Sequence, residues 1–193
     1  MSELFSIQLQ NRQQQGGDGV WLDLPTTTEQ VQAALRQIGI SSDNPQGLFI
    51  SGYFAEEEKR FAIPYNMVLA SNVDELNFLA SRLETLSAGE RAELNAALQA
   101  PQSELSSIGR IIDFPENVDY YVHLPDVRGP AQLGDYYLNR SGMVDMPEEW
   151  KGGIDTAQFG RYVAQQEQGA FTQYGYLVKS GDEWQKVHEG QPV

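Results

Sequence analysis

Residues 20–39 read VWLDLPTTTEQVQAALRQIG, and the change of pattern inside them decides the class of fold. VWLDL at 20–24 reads as a strand. Beyond Pro25 the pattern is helical, with Val31, Ala34, Leu35 and Ile38 on one face at the three- and four-residue spacing of an α-helix. Thr26 with Glu29 three residues on is a capping-box signature for the start, and Gly39 marks the stop. A strand joined this closely to an amphipathic helix predicts a mixed α+β chain.

Working outward, ELFSIQL at 3–9 alternates, with Leu4, Ser6 and Gln8 on one face and Phe5, Ile7 and Leu9 on the other, which predicts an earlier strand. The polar turn from Asn11 to Gly19 is longer than a tight hairpin needs, so the pairing of these two strands stays open. After the loop SSDNPQG, LFISGYF at 48–54 predicts a third strand, giving β-β-α-β over residues 1–64.

Composition changes after Pro64. Asn72 with Glu75 is a second capping signal, followed by Val73, Leu76, Leu79, Leu83 and Leu86 at helical spacing. Ser87 with Glu90 opens a further helix through Leu94 and Leu98 that stops at Pro101, and SELSSIGRII at 103–112 predicts a short one. In the last third DYYVHL at 119–124 reads as a strand, and AQLGDYYLNR at 131–140 as a helix ending near Gly142. Thr156 caps AQFGRYVAQQE, a final strand occupies 175–179, and the tail beyond it is expected to fray. The predicted fold class is therefore α+β in three small domains: an N-terminal α/β domain at 1–64, a helical domain at 65–114 and a mixed domain at 115–193.

Charge is the second guide. The 193 residues hold 27 Asp and Glu against 13 Lys and Arg, a formal charge of -14. The excess is spread: 8 acids to 4 bases in residues 1–64, 7 to 3 in 65–114, and 12 to 6 in 115–193. With 40% hydrophobic and 10% aromatic residues this is the composition of a folded chain rather than a disordered acidic one. Such a surface repels nucleic acid and attracts proteins that bind it. The basic residues Arg82, Arg91, Arg110, Arg128, Arg140 and Arg161 are scattered singly, so no basic stripe is available for a phosphate backbone and direct nucleic-acid binding is not expected.

Cysteine is absent, which removes disulfides, thiolate metal sites and cysteine nucleophiles and fits a reducing cytosol. No apolar run predicts a signal peptide or a membrane span, and a cytoplasmic protein is expected. His123 in DYYVHL could act as a general base, but no serine or cysteine motif accompanies it, and a half-buried strand histidine is the plainer reading. His188 lies in the tail, and the two histidines lack metal-ligand spacing. Glu56, Glu57 and Glu58 form the densest charge run, yet adjacent acids do not converge on one point, so a solvated turn is expected. Gly16, Gly17 and Gly19 follow glutamines rather than leading into a helix, and neither a Walker loop nor a dinucleotide fingerprint occurs. No cofactor and no enzymatic activity are predicted.

The run LGDYYLNRSGMVDMPEEWKGGIDTAQFGRYVAQQEQGAFTQYGYLVKSG, residues 133–181, resembles the ArdA antirestriction family of plasmids, conjugative transposons and prophages. The matching features are Leu133-Gly134, Met146-Pro147-Glu148-Glu149 leading to Ile154-Asp155, Phe159-Gly160-Arg161, and Phe171-Thr172 before Tyr174-Gly175-Tyr176. GVWLDLP with its capped helix and LNFLASRLETLSAGERAELNAAL agree in order with the same family. The resemblance implies an elongated homodimer of three small domains. It would mimic the charge and shape of B-form DNA and competitively block the DNA-binding cleft of type I restriction-modification enzymes, at their methyltransferase core. Scale permits this, since 27 carboxylates match the charge on about 46 Å of duplex axis.

On this reading the partner-binding acids come from all three segments: Asp23, Glu29, Glu56, Glu57, Glu58, Asp74, Glu75, Glu84, Glu90, Glu93, Asp113, Glu116, Asp119, Asp135, Asp145, Glu148, Glu149 and Asp155. Glu29, Glu75 and Glu90 also have a capping role in the sequence pattern. Phe159, Tyr162, Tyr174 and Tyr176 read as core, with a dimer contact as the alternative. Two other functions compete: a generic acidic interaction or regulatory module of a mobile element, whose charge serves only solubility, and a hydrolase built on His123.

Overall fold

The computed structural model describes residues 3–14, 17–41, 45–101 and 103–188. The middle of the polar turn at 11–19, part of the loop at 41–47 and the last five residues of the tail lie outside these. In chain order the elements are strands β1 (Phe5–Asn11) and β2 (Val20–Leu24), helix α1 (Thr28–Gln37) and strand β3 (Leu48–Phe54). Helices α2 (Tyr65–Leu69), α3 (Val73–Glu84), α4 (Ala88–Gln99) and α5 (Ile108–Ile112) follow. Then come β4 (Tyr121–Leu124), α6 (Pro130–Asp135), α7 (Glu148–Lys151), α8 (Thr156–Glu167), β5 (Ala170–Thr172) and β6 (Gly175–Lys179). The fold is α+β with two small antiparallel sheets.

The chain divides into two compact units. The first comprises residues 1–87, 105–115 and 186–193; the second comprises 88–104 and 116–185. The helices of the middle stretch are shared between them, with α2, α3 and α5 in the first unit and α4 in the second.

In the first unit the sheet order is β2-β1-β3, so β1 pairs with both neighbours and the open question of its pairing is answered. The alternation of β1 explains its central place: Phe5, Ile7 and Leu9 are buried, and facing them across the strands Leu22, Leu24 and Ile50 are buried too. A bulge beside Gln8 and Leu9 admits Ser51, whose hydroxyl donates to the Gln8 backbone and side-chain oxygens.

Helix α1 starts one residue later than the sequence suggests. Thr27 is the cap: its hydroxyl accepts from the Gln30 amide, and the Gln30 side chain accepts from the Thr27 backbone. Thr26 is otherwise engaged, because Asn77 of α3 brackets its peptide, accepting from its N–H at 2.7 Å and donating to its carbonyl at 3.1 Å. Glu29 therefore has no part in a capping box. The helix ends as Gly39 predicts, with φ of 69° and a Schellman pair of bonds, Gly39 N–H to Arg36 and Ile40 N–H to Leu35. Asn72 caps α3 by accepting from the Glu75 amide at 2.8 Å. The helix expected at 103–112 shortens to α5, because Ser107 is its N-cap.

The tail does not fray within the described residues. Asp113 Oδ1 accepts from the backbone amides of Val187 and His188, and the His188 ring lies 5.4 Å from that of Phe78.

In the second unit the sheet order is β4-β6-β5, with α4 packed against β4 and β6. Its core gathers Val127, Leu133, Ala164 and Tyr176, flanked by Leu124, Tyr136, Val163, Phe171 and Val178. The closest helix packing is α6 on α8, and two glycines make it possible. A Cβ on Gly134 would stand 1.9 Å from the Thr156 carbonyl oxygen, and one on Gly160 1.8 Å from that of Pro130. Backbone meets backbone there, which is why both positions of the sequence resemblance are glycine. The cap of α8 is Asp155 rather than Thr156, since its carboxylate accepts from the amides of Ala157 and Gln158. Beyond α6 the chain continues as one π-type turn, Tyr136–Arg140, closed by Ser141 N–H to Tyr136.

Candidate functional site

The acids singled out in the sequence fall on both units. In the first unit Asp23 lies on β2, Glu29 on α1, Glu56, Glu57 and Glu58 in a turn after β3, Asp74, Glu75 and Glu84 on α3, and Asp113 after α5. In the second, Glu90 and Glu93 lie on α4, Glu116 and Asp119 in 3-10 turns, Asp135 at the end of α6, Asp145 in a loop, Glu148 and Glu149 on α7, and Asp155 at the start of α8.

Exposure sorts them. Asp23, Glu29, Glu56, Glu57, Glu58, Asp74, Glu116, Asp119, Asp145, Glu148, Glu149 and Asp155 are exposed. Glu75, Glu84, Glu90, Glu93 and Asp135 are half-buried. Asp113 is 2% exposed and spends its carboxylate on the amides of Val187 and His188, so it presents no charge to a partner. It belongs to the interior, a correction to the sequence reading whose cause is the docked tail.

Local bases subtract more. Lys59 bridges Glu56 at 3.0 Å, Lys151 bridges Glu148 at 2.6 Å, and Arg140 bridges Asp135 at 2.9 Å. The last pair exists because the π-type turn brings the fifth residue on, as well as the fourth, back over Asp135. Asn139 donates to the same carboxylate, and these two hydrogen bonds, Asn139 first, hold its pKa below the ordinary value. Glu29 is also held low, by a backbone hydrogen bond and then by the Thr27 hydroxyl.

Glu93 is displaced in the opposite direction. One of its carboxylate oxygens is sealed from water with no hydrogen-bond partner among the described residues. Burial first, then the negative charges of Asp119 and Glu90, push its pKa up to about 8. The fold thus sets Asp119 and Glu90 near enough to Glu93 to act on it, and the outcome is that Glu93 holds its proton at neutral pH.

Two acids outside that set have structural partners. Glu167 at the end of α8 accepts from the hydroxyls of Tyr137 and Tyr176, and burial with this carboxylate nearby pushes both tyrosine pKa values up. Glu104 binds Lys179 at 2.8 Å and accepts from the Tyr120 hydroxyl. No sequence spacing announces either, because each pairing spans separate elements. Glu3, Asp18, Asp126, Asp182 and Glu183 are exposed as well and add to the same surface charge.

His123 on β4 is half-buried, and its Nε2 donates to the Tyr174 carbonyl oxygen at 2.8 Å. Among the described residues no group of three His, Asp or Glu side chains is placed to hold a metal ion. No described helix is long and apolar enough to cross a membrane. Tyr176 is core as expected, whereas Tyr162 is 60% exposed and is not.

What the two units share is thus a display of exposed carboxylates on an α+β scaffold. Over residues 16–178 the sequence matches the family described as antirestriction protein (ArdA), and the chain belongs to that family. Comparison with curated proteins gives no significant match.

Proposed function

We propose that this protein is an antirestriction inhibitor that mimics B-form DNA and competitively occupies the DNA-binding cleft of type I restriction-modification enzymes. The observation that carries the reading is the set of exposed acids on both units, in a chain of the ArdA antirestriction family. A cleft built for duplex DNA is lined with Lys and Arg to meet phosphates. Carboxylates at comparable density meet the same side chains, and field and shape suffice without a reacting residue.

The protein on this reading is not an enzyme and works in the cytoplasm as a homodimer, with the methyltransferase core as its target. Its effective charge is smaller than the sequence count, because Asp113 is interior, Glu93 is neutral near pH 7, and Glu56, Asp135 and Glu148 are bridged. The test is displacement of a labelled duplex from a purified type I methyltransferase core. Displacement at low salt, weakening as salt rises, supports the reading. Retention of the duplex at every salt concentration contradicts it and leaves the acidity as a solubility feature.

A further inference from the structure

The sheet of the first unit has a core face and an outer face. On the outer face Ser6 is flanked by Asp23 and Phe54, and Gln8 by Trp21 and Gly52. Trp21 is 50% exposed and Phe54 55%. Single exposed aromatics are ordinary, but this indole has a prepared seat. A Cβ on Gly52 would lie 3.0 Å from Trp21 Cη2 and 3.1 Å from Gln8 Cβ, so the ring reaches across β1 into the space that the missing side chain leaves. The indole is held on one side and open to water on the other.

Asp23 sits beside it, two residues along β2 on the same face. Its Oδ1 accepts from the Ser6 hydroxyl at 2.8 Å, and Glu3 Oε1 lies 3.4 Å from the same hydroxyl. Ser6 is buried, so the carboxylate is oriented from within the sheet. Lys59, which lines the same corner as Phe54, is bridged by Glu56. An aromatic surface fixed next to an oriented carboxylate complements a guanidinium, which stacks on the ring while its N–H groups bind the oxygens.

We infer that the outer face of this sheet, centred on Trp21, Asp23 and Phe54, docks arginine side chains from the DNA-binding cleft of the restriction-modification enzyme. This rests on the DNA-mimic reading, which supplies an arginine-lined partner; charge complementarity selects that partner over an apolar one. The aromatic contact adds a component of affinity that salt does not screen.

The test measures the affinity of the full chain for the methyltransferase core over a salt series, using the unaltered protein, Trp21→Ala, Phe54→Arg, Asp23→Asn and Met143→Ala, with thermal melts to confirm folding. Trp21→Ala should raise Kd about tenfold at every salt concentration and leave the salt slope unchanged. Phe54→Arg should raise it further by placing like charge against the cleft, and Asp23→Asn should weaken binding and flatten the slope. Should Trp21→Ala fail to fold, Phe54→Arg at the exposed strand end carries the comparison. Unaltered affinity in both aromatic variants, or an equal loss in Met143→Ala, overturns the inference while the DNA-mimic reading stands. A shift of the aromatic variants from dimer to monomer also overturns it, assigning the face to a second copy. If the unaltered protein binds at no salt concentration, the DNA-mimic reading itself fails and this docking face with it.

Discussion

Glu93 shows why acids cannot be counted as equal. Its carboxyl sits on α4 with one oxygen out of reach of water, and its pKa moves from 4.5 to about 8. Below the lower value the group is protonated in the folded and unfolded chain alike. Between the two values the unfolded chain ionises it while the fold keeps the proton, so stability falls as pH rises through that window. Glu93→Gln should therefore raise the melting temperature over the unaltered protein by a margin that widens from about pH 5 to about pH 8. A margin independent of pH would contradict the account. Glu167 is the opposite case, a carboxylate made necessary by its donors. Tyr176 is fully buried, and Glu167→Ala leaves its hydroxyl without its acceptor, a loss of about 1–3 kcal/mol in denaturant unfolding. A loss below a few tenths would mean that another group accepts the bond.

Elements were legible where the apolar period was long enough to be read. β1, β2 and β3, and the helices α1, α3, α4 and α8, follow directly from alternation or from three-and-four spacing. Their caps slipped by one residue twice, at Thr27 and Asp155, because several consecutive residues there can cap and tertiary contacts choose between them. β5 has three residues and α7 has four, too short for any period; β5 is a strand because β6 pairs with it. The burial of Asp113 and the aromatic outer face of the first sheet needed the docked tail and the strand register, neither of which is a local property. The α6–α8 crossing gives a prediction at this scale. Gly160→Ala places a methyl group against the Pro130 carbonyl, where only backbone can yield, and should cost about 3 kcal/mol of stability or prevent folding. The same substitution at Gly152, which has nothing within 4 Å of a built Cβ, is the control and should leave stability nearly unchanged.

For the molecule as a whole, the proposed function rests on charge that stays at the surface after the fold has taken its share. The docked tail, the desolvated Glu93 and the ion pairs with Lys59, Arg140 and Lys151 withdraw some of the acids, and the exposed remainder lies on both units. A homodimer doubles that remainder, and sedimentation at twice the chain mass of 21.6 kDa is the expected result; a monomer at working concentration would remove half of the proposed footprint. On the DNA-mimic reading the protein takes the place of DNA by electrostatic complementarity. The most direct measurement is its affinity for a type I methyltransferase core across a salt series, read beside the affinity of duplex DNA for the same core. The expected result is tight, mutually exclusive binding at low salt that weakens steeply for both as salt rises. Binding that is indifferent to salt, or that leaves the duplex in place, would contradict it.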